Sequence, residues 1–351
     1  MLDLDDDDIG SKGAVHMGRV DQIRYNFGIE GSAVALPQRK VSSLEVDALS
    51  GKPAGSTEAQ FKISHRHWAA ADETSSTLAA KAAADALQQA GWEPASIDVI
   101  IGACGVMEQP IPGTAALVQR RLGLGDSGIP AFDINATCLS FLMAFDRALA
   151  GFALGEWKRA LIFSADIASA ALDFSDPEAS VIFGDGAVAF ALSADGPHER
   201  LAHSFQTFGS AADVCRLEAG GTRLRPHEDL DNFLAHSKFQ MDGKGVFKAT
   251  ASRFPAFISG LLQRADVQAA DLSVVVPHQA SAAALEHLKR ALPAGHDKTV
   301  DIFASFGNQI ATSMPHALHV ARTSGRLARD TLGLLVGTSA GVSLGGAVVR
   351  W

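Results

Sequence analysis

The chain has 351 residues, 47% of them hydrophobic and 20% charged, with a formal net charge of −9. That length can bury one large core or two domains of common size, and the negative balance argues against a general nucleic-acid surface. No run of eighteen apolar residues occurs, so no membrane span is expected, and three cysteines cannot build a disulfide framework, which fits a reduced, cytoplasmic setting.

Residues 1–16 carry five Asp and one Lys, −4 of the total, and read as a disordered leader or expression tag, with Met17 a plausible native start. The remaining chain, near −5, alternates strands and helices. Thr74–Ala90 is helical by period and by its Ala, Leu and Gln content. Ile97–Ala103 is a branched apolar run of the kind found in buried strands. A helix over Gly113–Leu122 follows, then a strand over Ile129–Ile134, a helix after Cys138 and a strand over Arg159–Ser164. Val181–Leu192 reads as a strand kinked at Gly184–Asp185–Gly186.

The second half repeats this grammar. Leu272–Val276 is a strand, Ala282–Leu292 a helix, Thr299–Phe303 a strand and Thr312–Arg322 a helix, before final strands at Leu332–Gly337 and Val342–Arg350. Apolar strands alternating with helices predict an α/β fold with largely buried sheets. Phe132 precedes Cys138 by six positions and Ile302 precedes Asn308 by six, which suggests that Cys138 and Asn308 occupy equivalent points of two pseudo-repeated halves.

Cys138 lies between an apolar strand-like run and an apolar helical run, in DINATCLSF. A thiol at a helix start meets unpaired amide hydrogens and the positive end of the macrodipole, which favour a thiolate nucleophile. Free cysteines are also among the most buried residues, so placement alone leaves a structural thiol equally open. Cys104 and Cys215 are read as structural. His278 ends a buried strand, where ligands gather in α/β sheets, and Asn308 sits in a small-residue turn that reads either as a plain Gly–Asn turn or as a neutral donor. Cys138, His278 and Asn308 together make one nucleophile and two hydrogen-bond donors.

The ordered segments DINATC (133–138), VIFGDGA (181–187), GGTRLR (220–225), MDGKGVFK (241–248), VPHQA (276–280), FGN (306–308) and a Gly-rich C-terminal strand resemble the thiolase superfamily, and within it β-ketoacyl-acyl carrier protein synthase III and its relatives, over roughly residues 28–351. The resemblance implies a five-layered α/β/α/β/α fold in two pseudo-repeated halves, 17–195 with the nucleophile and 196–351 with His278 and Asn308, forming a homodimer. It implies a decarboxylative Claisen condensation of a Cys138-bound acyl group with a malonyl-type or β-keto thioester. His278 and Asn308 would hold the enolate oxygen, and the backbone amides of Cys138 and Ala340 the acyl oxyanion. No metal and no permanently bound cofactor is implied; acyl-CoA or acyl-carrier protein would be substrates. Lys248, Lys289 and Arg290 fall where relatives dock an acidic carrier protein, and read equally as solvated helix charge. Asp185 resembles a structural residue of the family. By the resemblance, the Glu108–Gly113 loop is the expected wall of the acyl pocket, reaching across the dimer interface.

The chain departs from the family where relatives grip coenzyme A or the carrier. Residues Ala59–Trp68 lack an Arg–Thr–Gly–Ile motif, 176–178 supply Asp–Pro–Glu for an expected base, and Ser281–Ala283 replaces Asn–Leu–Arg. A non-condensing acyltransferase is therefore the second reading. A non-catalytic subunit suffers from the presence of all three site residues. A Cys/His/Asn protease would need His278 as a base bonded directly to Cys138.

Overall fold

A computed structural model describes residues 24–176, 180–292 and 295–351. The leader expected over residues 1–16 lies outside the described residues, as do two of the three residues expected to replace a basic family position, 177 and 178. Eight strands form one mixed sheet: β1 Tyr25–Ala35, β2 Val99–Gly102, β3 Ala131–Asp133, β4 Arg159–Asp166, β5 Gly186–Thr207, β6 Leu272–Pro277, β7 Leu332–Ser339 and β8 Ser343–Arg350. Their order is β6–β7–β8–β5–β4–β2–β3, with β1 also paired to β5.

The 22-residue β5 joins two half-sheets. Its first part pairs with β4 and β1, and residues 199–207 pair with β8. Between them residues 194–197 leave the β1 ladder, because Gly28 pairs with Ser193 and Phe27 with His198. Gly196 there lies so close to Gly28 that a Cβ would meet its backbone at 2.3 Å. The boundary expected between residues 195 and 196 falls inside this departure.

Strand alternation sorts side chains into three helix layers. Helices α1 Ser75–Ala90 and α2 Thr114–Arg121 cover one outer face, against Leu161 and Phe163 of β4 and Ala187, Ala189 and Ala191 of β5. Helices α3 Ser140–Ala153 and α6 Ser313–Thr323 lie between the half-sheets, against Ala160 and Ile162 of β4 and Val274 and Val276 of β6. Helices α4 Phe254–Ala265 and α5 Ala282–Ala291 cover the other outer face, against Leu334 and Val336 of β7. The result is the five-layered α/β/α/β/α thiolase-like arrangement. The middle layer is the driest: Phe141, Leu142, Phe145 and Leu149 of α3 are at most 2% exposed, and burying each such side chain contributes about 1.5–3 kcal/mol. Among the described residues no helix is long and apolar enough to cross a membrane.

Local chemistry explains the element ends. Thr74 and Thr77 exchange side-chain and backbone hydrogen bonds at the start of α1, and Gly91 closes it at φ 66°. Two expected strands differ. Val181–Leu192 becomes a strand only from Gly186, because Asp185 turns inward to accept from the amides of Ala69 (2.8 Å) and Ser169 (2.9 Å). Thr299–Phe303 shrinks to one bridge, Val275 with Thr299. There the Gln279 carbonyl takes the Ile302 N–H (3.0 Å) and Asp301 caps Phe303 (3.1 Å), which starts a helical turn, Phe303–Phe306.

Candidate active site

Two turns of the same construction carry the site. After β3, Asn135 Oδ1 accepts from Thr137 N at 2.9 Å and Ser140 Oγ accepts from Ala136 N at 2.9 Å. In the second half, Asn308 Oδ1 accepts from Ile310 N at 2.9 Å and Ser313 Oγ accepts from Gln309 N at 2.8 Å. Thr137 and Ile310 both sit at φ 53°, and each begins a single 3₁₀ turn that leads into a middle-layer helix. The side-chain oxygens of Asn and Ser take amides that a helix start leaves unpaired. The two turns repeat one construction, but Cys138 and Asn308 do not occupy equivalent points: the register differs by three from the expected one. Asn135 matches Asn308, and Cys138 matches Ala311. Counting from the strands misleads because the second one is reduced to a single bridge.

Cys138 is half-buried at the centre of its turn. Burial pushes its thiol well above the ordinary range, and the charges of Cys215 and Asp166 add to the rise, while the backbone N–H groups of Ala340 and Cys138 pull the other way. The expected resting thiolate is therefore corrected: desolvation outweighs one turn of helix amides, and the thiol rests neutral. The same two amides are the pair expected to form the oxyanion hole.

His278 follows β6, 5% exposed, with its backbone N–H bonded to Val336 O at 2.9 Å. Burial lowers its pKa to about 4, and its Nδ1 has no hydrogen-bond partner among the described residues. The imidazole is neutral at pH 7, with one ring N–H to donate. Gln279 beside it is locked by bonds from its amide to Pro277 O (3.0 Å) and Val300 O (3.1 Å), which stiffens the His278 turn. Asn308 is 6% exposed, and its Nδ2 donates to Ala280 O at 3.2 Å. A neutral His and an Asn amide offer donors, and the imidazole is only a weak base.

One cavity of about 1180 Å³ gathers these groups: Cys138, His278, Asn308 and Ala340 all line it. It is large for a small-molecule site. Glu108, Gln109 and Pro110 line it too, as expected for the loop, whose Ile111 is 85% exposed. The basic trio separates. Arg290 lines the cavity, whereas Lys248 and Lys289 do not. Lys289 Nζ is held by Glu286 and Asp301, each at 2.8 Å, so a carrier would have to compete with two carboxylates. Asp185 is fully buried on backbone amides and is absent from the lining. Sequence reasoning passed over Asn135, Thr137 and Lys244, and took Cys215 for a structural thiol, yet all four line the cavity. The shared pattern Asn–x₄–Ser at 135–140 and 308–313 is the signal that marks the two turns.

Buried imidazoles set a pH dependence of stability. Burial lowers His278 and His203 to about 4 and His316 to about 3. Below about 6.5 the unfolded chain takes protons that the folded one refuses, so folding loses stability as pH falls from 6.5 towards 4. Asp166, raised by burial to about 6, acts oppositely, because its folded form binds a proton first. Asp133 and Asp185 are raised by burial too and act in the same direction as Asp166. His65, His198 and His319 are lowered by burial as well, so six imidazoles outnumber these three carboxyls, and each unmatched proton is worth about 1.4 kcal/mol per pH unit. The melting temperature is expected to drop between pH 6.5 and 5 by differential scanning fluorimetry; a constant or rising value would contradict this.

Two family models match the chain: 3-oxoacyl-[acyl-carrier-protein (ACP)] synthase III over residues 132–220, and the C-terminal part of the same family over 262–351. An acetoacetyl CoA synthase of Streptomyces sp. (strain CL190) is 36% identical over 336 residues, covering 93% of this chain and 98% of that protein. A β-ketoacyl-[acyl-carrier-protein] synthase III of Laribacter hongkongensis is 37% identical over 290 residues, covering 82% and 88%. The crystal structure of 3-oxoacyl-[acyl-carrier-protein] synthase III from Aquifex aeolicus superposes with a TM-score of 0.83 at 28% identity, over 93% of this chain and all of that one. With ordered motifs and layered fold in agreement, the chain belongs to the 3-oxoacyl-[acyl-carrier-protein] synthase III family of thiolase-fold condensing enzymes.

Proposed function

We propose that this enzyme joins a Cys138-bound acyl group to a malonyl-type thioester by decarboxylative Claisen condensation. The observation that carries the reading is the neutral, buried pair His278 and Asn308 lining one cavity with Cys138. In the first half-reaction the Cys138 sulfur attacks the thioester carbonyl. A carbon–sulfur bond forms, the donor's carbon–sulfur bond breaks, and the thiol proton leaves with the departing thiol. The amides of Cys138 and Ala340 stabilise the oxyanion in between. In the second, the malonyl carboxylate leaves as carbon dioxide and its electron pair becomes an enolate, whose oxygen takes hydrogen bonds from His278 and Asn308. The enolate carbon attacks the acyl carbon, and the Cys138 sulfur leaves and regains a proton.

A protease reading loses its support here, because a buried imidazole with a pKa of about 4 is a poor base at neutral pH. Coenzyme A or carrier protein serves as the acyl handle, with Arg216, Lys244 and Arg290 the cationic groups on the cavity wall. A homodimer completes the proposal: the Glu108–Gly113 loop ends in the exposed Ile111 beside the cavity, as an apolar tip suited to a second copy. The acyltransferase reading draws on Ala283, which lines the cavity where the family carries Arg. Supplying an acyl thioester with and without a malonyl thioester separates the two. Condensation gives a β-ketoacyl product only with the malonyl partner; an ester or amide formed without it would favour acyl transfer.

A further inference from the structure

At the contact between the two catalytic turns lies a carboxylate to which no part of the reaction assigns a task. Asp166 ends β4 and is fully buried. Its Oδ1 accepts from Gly105 N and Val106 N, both at 2.8 Å, and its Oδ2 accepts from Thr312 N at 3.1 Å and Thr312 Oγ1 at 3.0 Å. One oxygen therefore serves the first half of the chain and the other serves the second.

Each arm leads to a site residue. On the first, Gly105 O accepts from Asn135 Nδ2 (3.4 Å), and Ser140 Oγ bridges Cys104 O (3.3 Å) and Thr137 O (2.7 Å), so the 104–106 segment holds the turn that carries Cys138. On the second, Thr312 closes the 3₁₀ turn that begins at Ile310, whose N–H is held by Asn308 Oδ1. The arms also touch: a Cβ on Gly105 would meet Ile310 Cγ2 at 2.5 Å and Thr137 O at 3.2 Å. Ionisable groups that feel the Asp166 charge are the thiols of Cys104 and Cys138. The four contacts to Asp166 come from N–H and O–H groups. Four donors converging on one buried carboxylate fix a geometry that neutral groups hold less firmly.

We propose that Asp166 is a positioning residue, which sets the spacing between the Cys138 turn and the Asn308 turn by binding both through one carboxylate. The inference rests on the condensing-enzyme reading. Asp166→Asn turns one of the two oxygens into a donor that faces donors. Thr312→Val removes the hydroxyl that bonds Asp166 (3.0 Å) and more distantly Gly186 O (3.4 Å), and Thr312→Ser retains it. Three quantities are read on the full chain: kcat and KM for condensation, the iodoacetamide alkylation rate of Cys138 mapped by peptide mass, and alkylation of Cys104, which is 2% exposed and reports general loosening.

Asp166→Asn is expected to lower kcat at least tenfold with KM within twofold, and to speed Cys138 alkylation at least threefold while Cys104 stays unmodified. Thr312→Val should move kcat in the same direction by at least threefold, and Thr312→Ser should stay within twofold of the parent. A kcat and alkylation rate within twofold of the parent in Asp166→Asn would overturn the proposal. If Cys104 becomes reactive in that variant, Thr312→Val decides, and an unchanged kcat there overturns it. Should the parent itself fail to condense, the functional reading falls, and the Cys138 alkylation rates still judge the clamp.

Discussion

Incubated with an acyl thioester, the parent chain gains one acyl mass, located on the Cys138 peptide, and Cys138→Ala gains none. Three thiols compete, and their surroundings separate them. Cys104 is 2% exposed, and burial beside Asp166 pushes its thiol far up. Cys215 lines the cavity, but burial lifts it to about 11. The Cys138 thiol is raised as well, but unlike Cys104 it lines the cavity, and the backbone N–H groups of Ala340 and of its own residue pull its pKa down as donors. Those donors matter most once the carbonyl oxygen turns anionic, so reactivity follows the transition state and not the resting pKa. Loss of a covalent nucleophile costs turnover on the order of 10⁶-fold in well-studied acyl-transfer enzymes. Acyl loading on Cys215 in Cys138→Ala would overturn the assignment.

His278→Ala and Asn308→Ala should each cut condensation by about 10²–10³-fold, roughly 2.7–4 kcal/mol, the cost of one oxyanion donor. Loading of Cys138 should survive in both, since the acyl oxyanion is held by main-chain amides that neither substitution removes. The two losses should not add fully, because both donors serve one oxygen. Asn308→Ala carries a structural cost too, for Asn308 Oδ1 holds Ile310 N; Asn308→Asp keeps that acceptor but puts an anionic oxygen in place of the donor. Equal loss of loading and condensation in His278→Ala would point to a base role, against its lowered pKa.

How legible this was in the sequence depends on range. His278 stands at a strand end, and Cys138 and Asn308 lie in small-residue turns, which local pattern reveals. The paired turns were visible as a repeat, but their register was not, since Thr299 keeps only one bridge where a strand was expected. The Cys138 thiol is set by Ala340, some two hundred positions away, and by burial that no local window contains. Lys289 looked free for docking because its second partner, Asp301, arrives from beyond its own helix. The polar stretch Ser193–Arg200 masked the true length of β5, which continues to Thr207.

The most direct measurement is a single turnover with isotope. Cys138 is loaded with an acyl group, excess donor is removed, and a carboxyl-labelled malonyl thioester is added, free or on carrier protein. The mechanism predicts labelled carbon dioxide and a β-ketoacyl product in equal amounts to the acyl group lost from Cys138, with neither formed by Cys138→Ala. Discharge of the acyl group to a hydroxyl or amine acceptor, with no labelled carbon dioxide from any malonyl or β-keto extender, would contradict it.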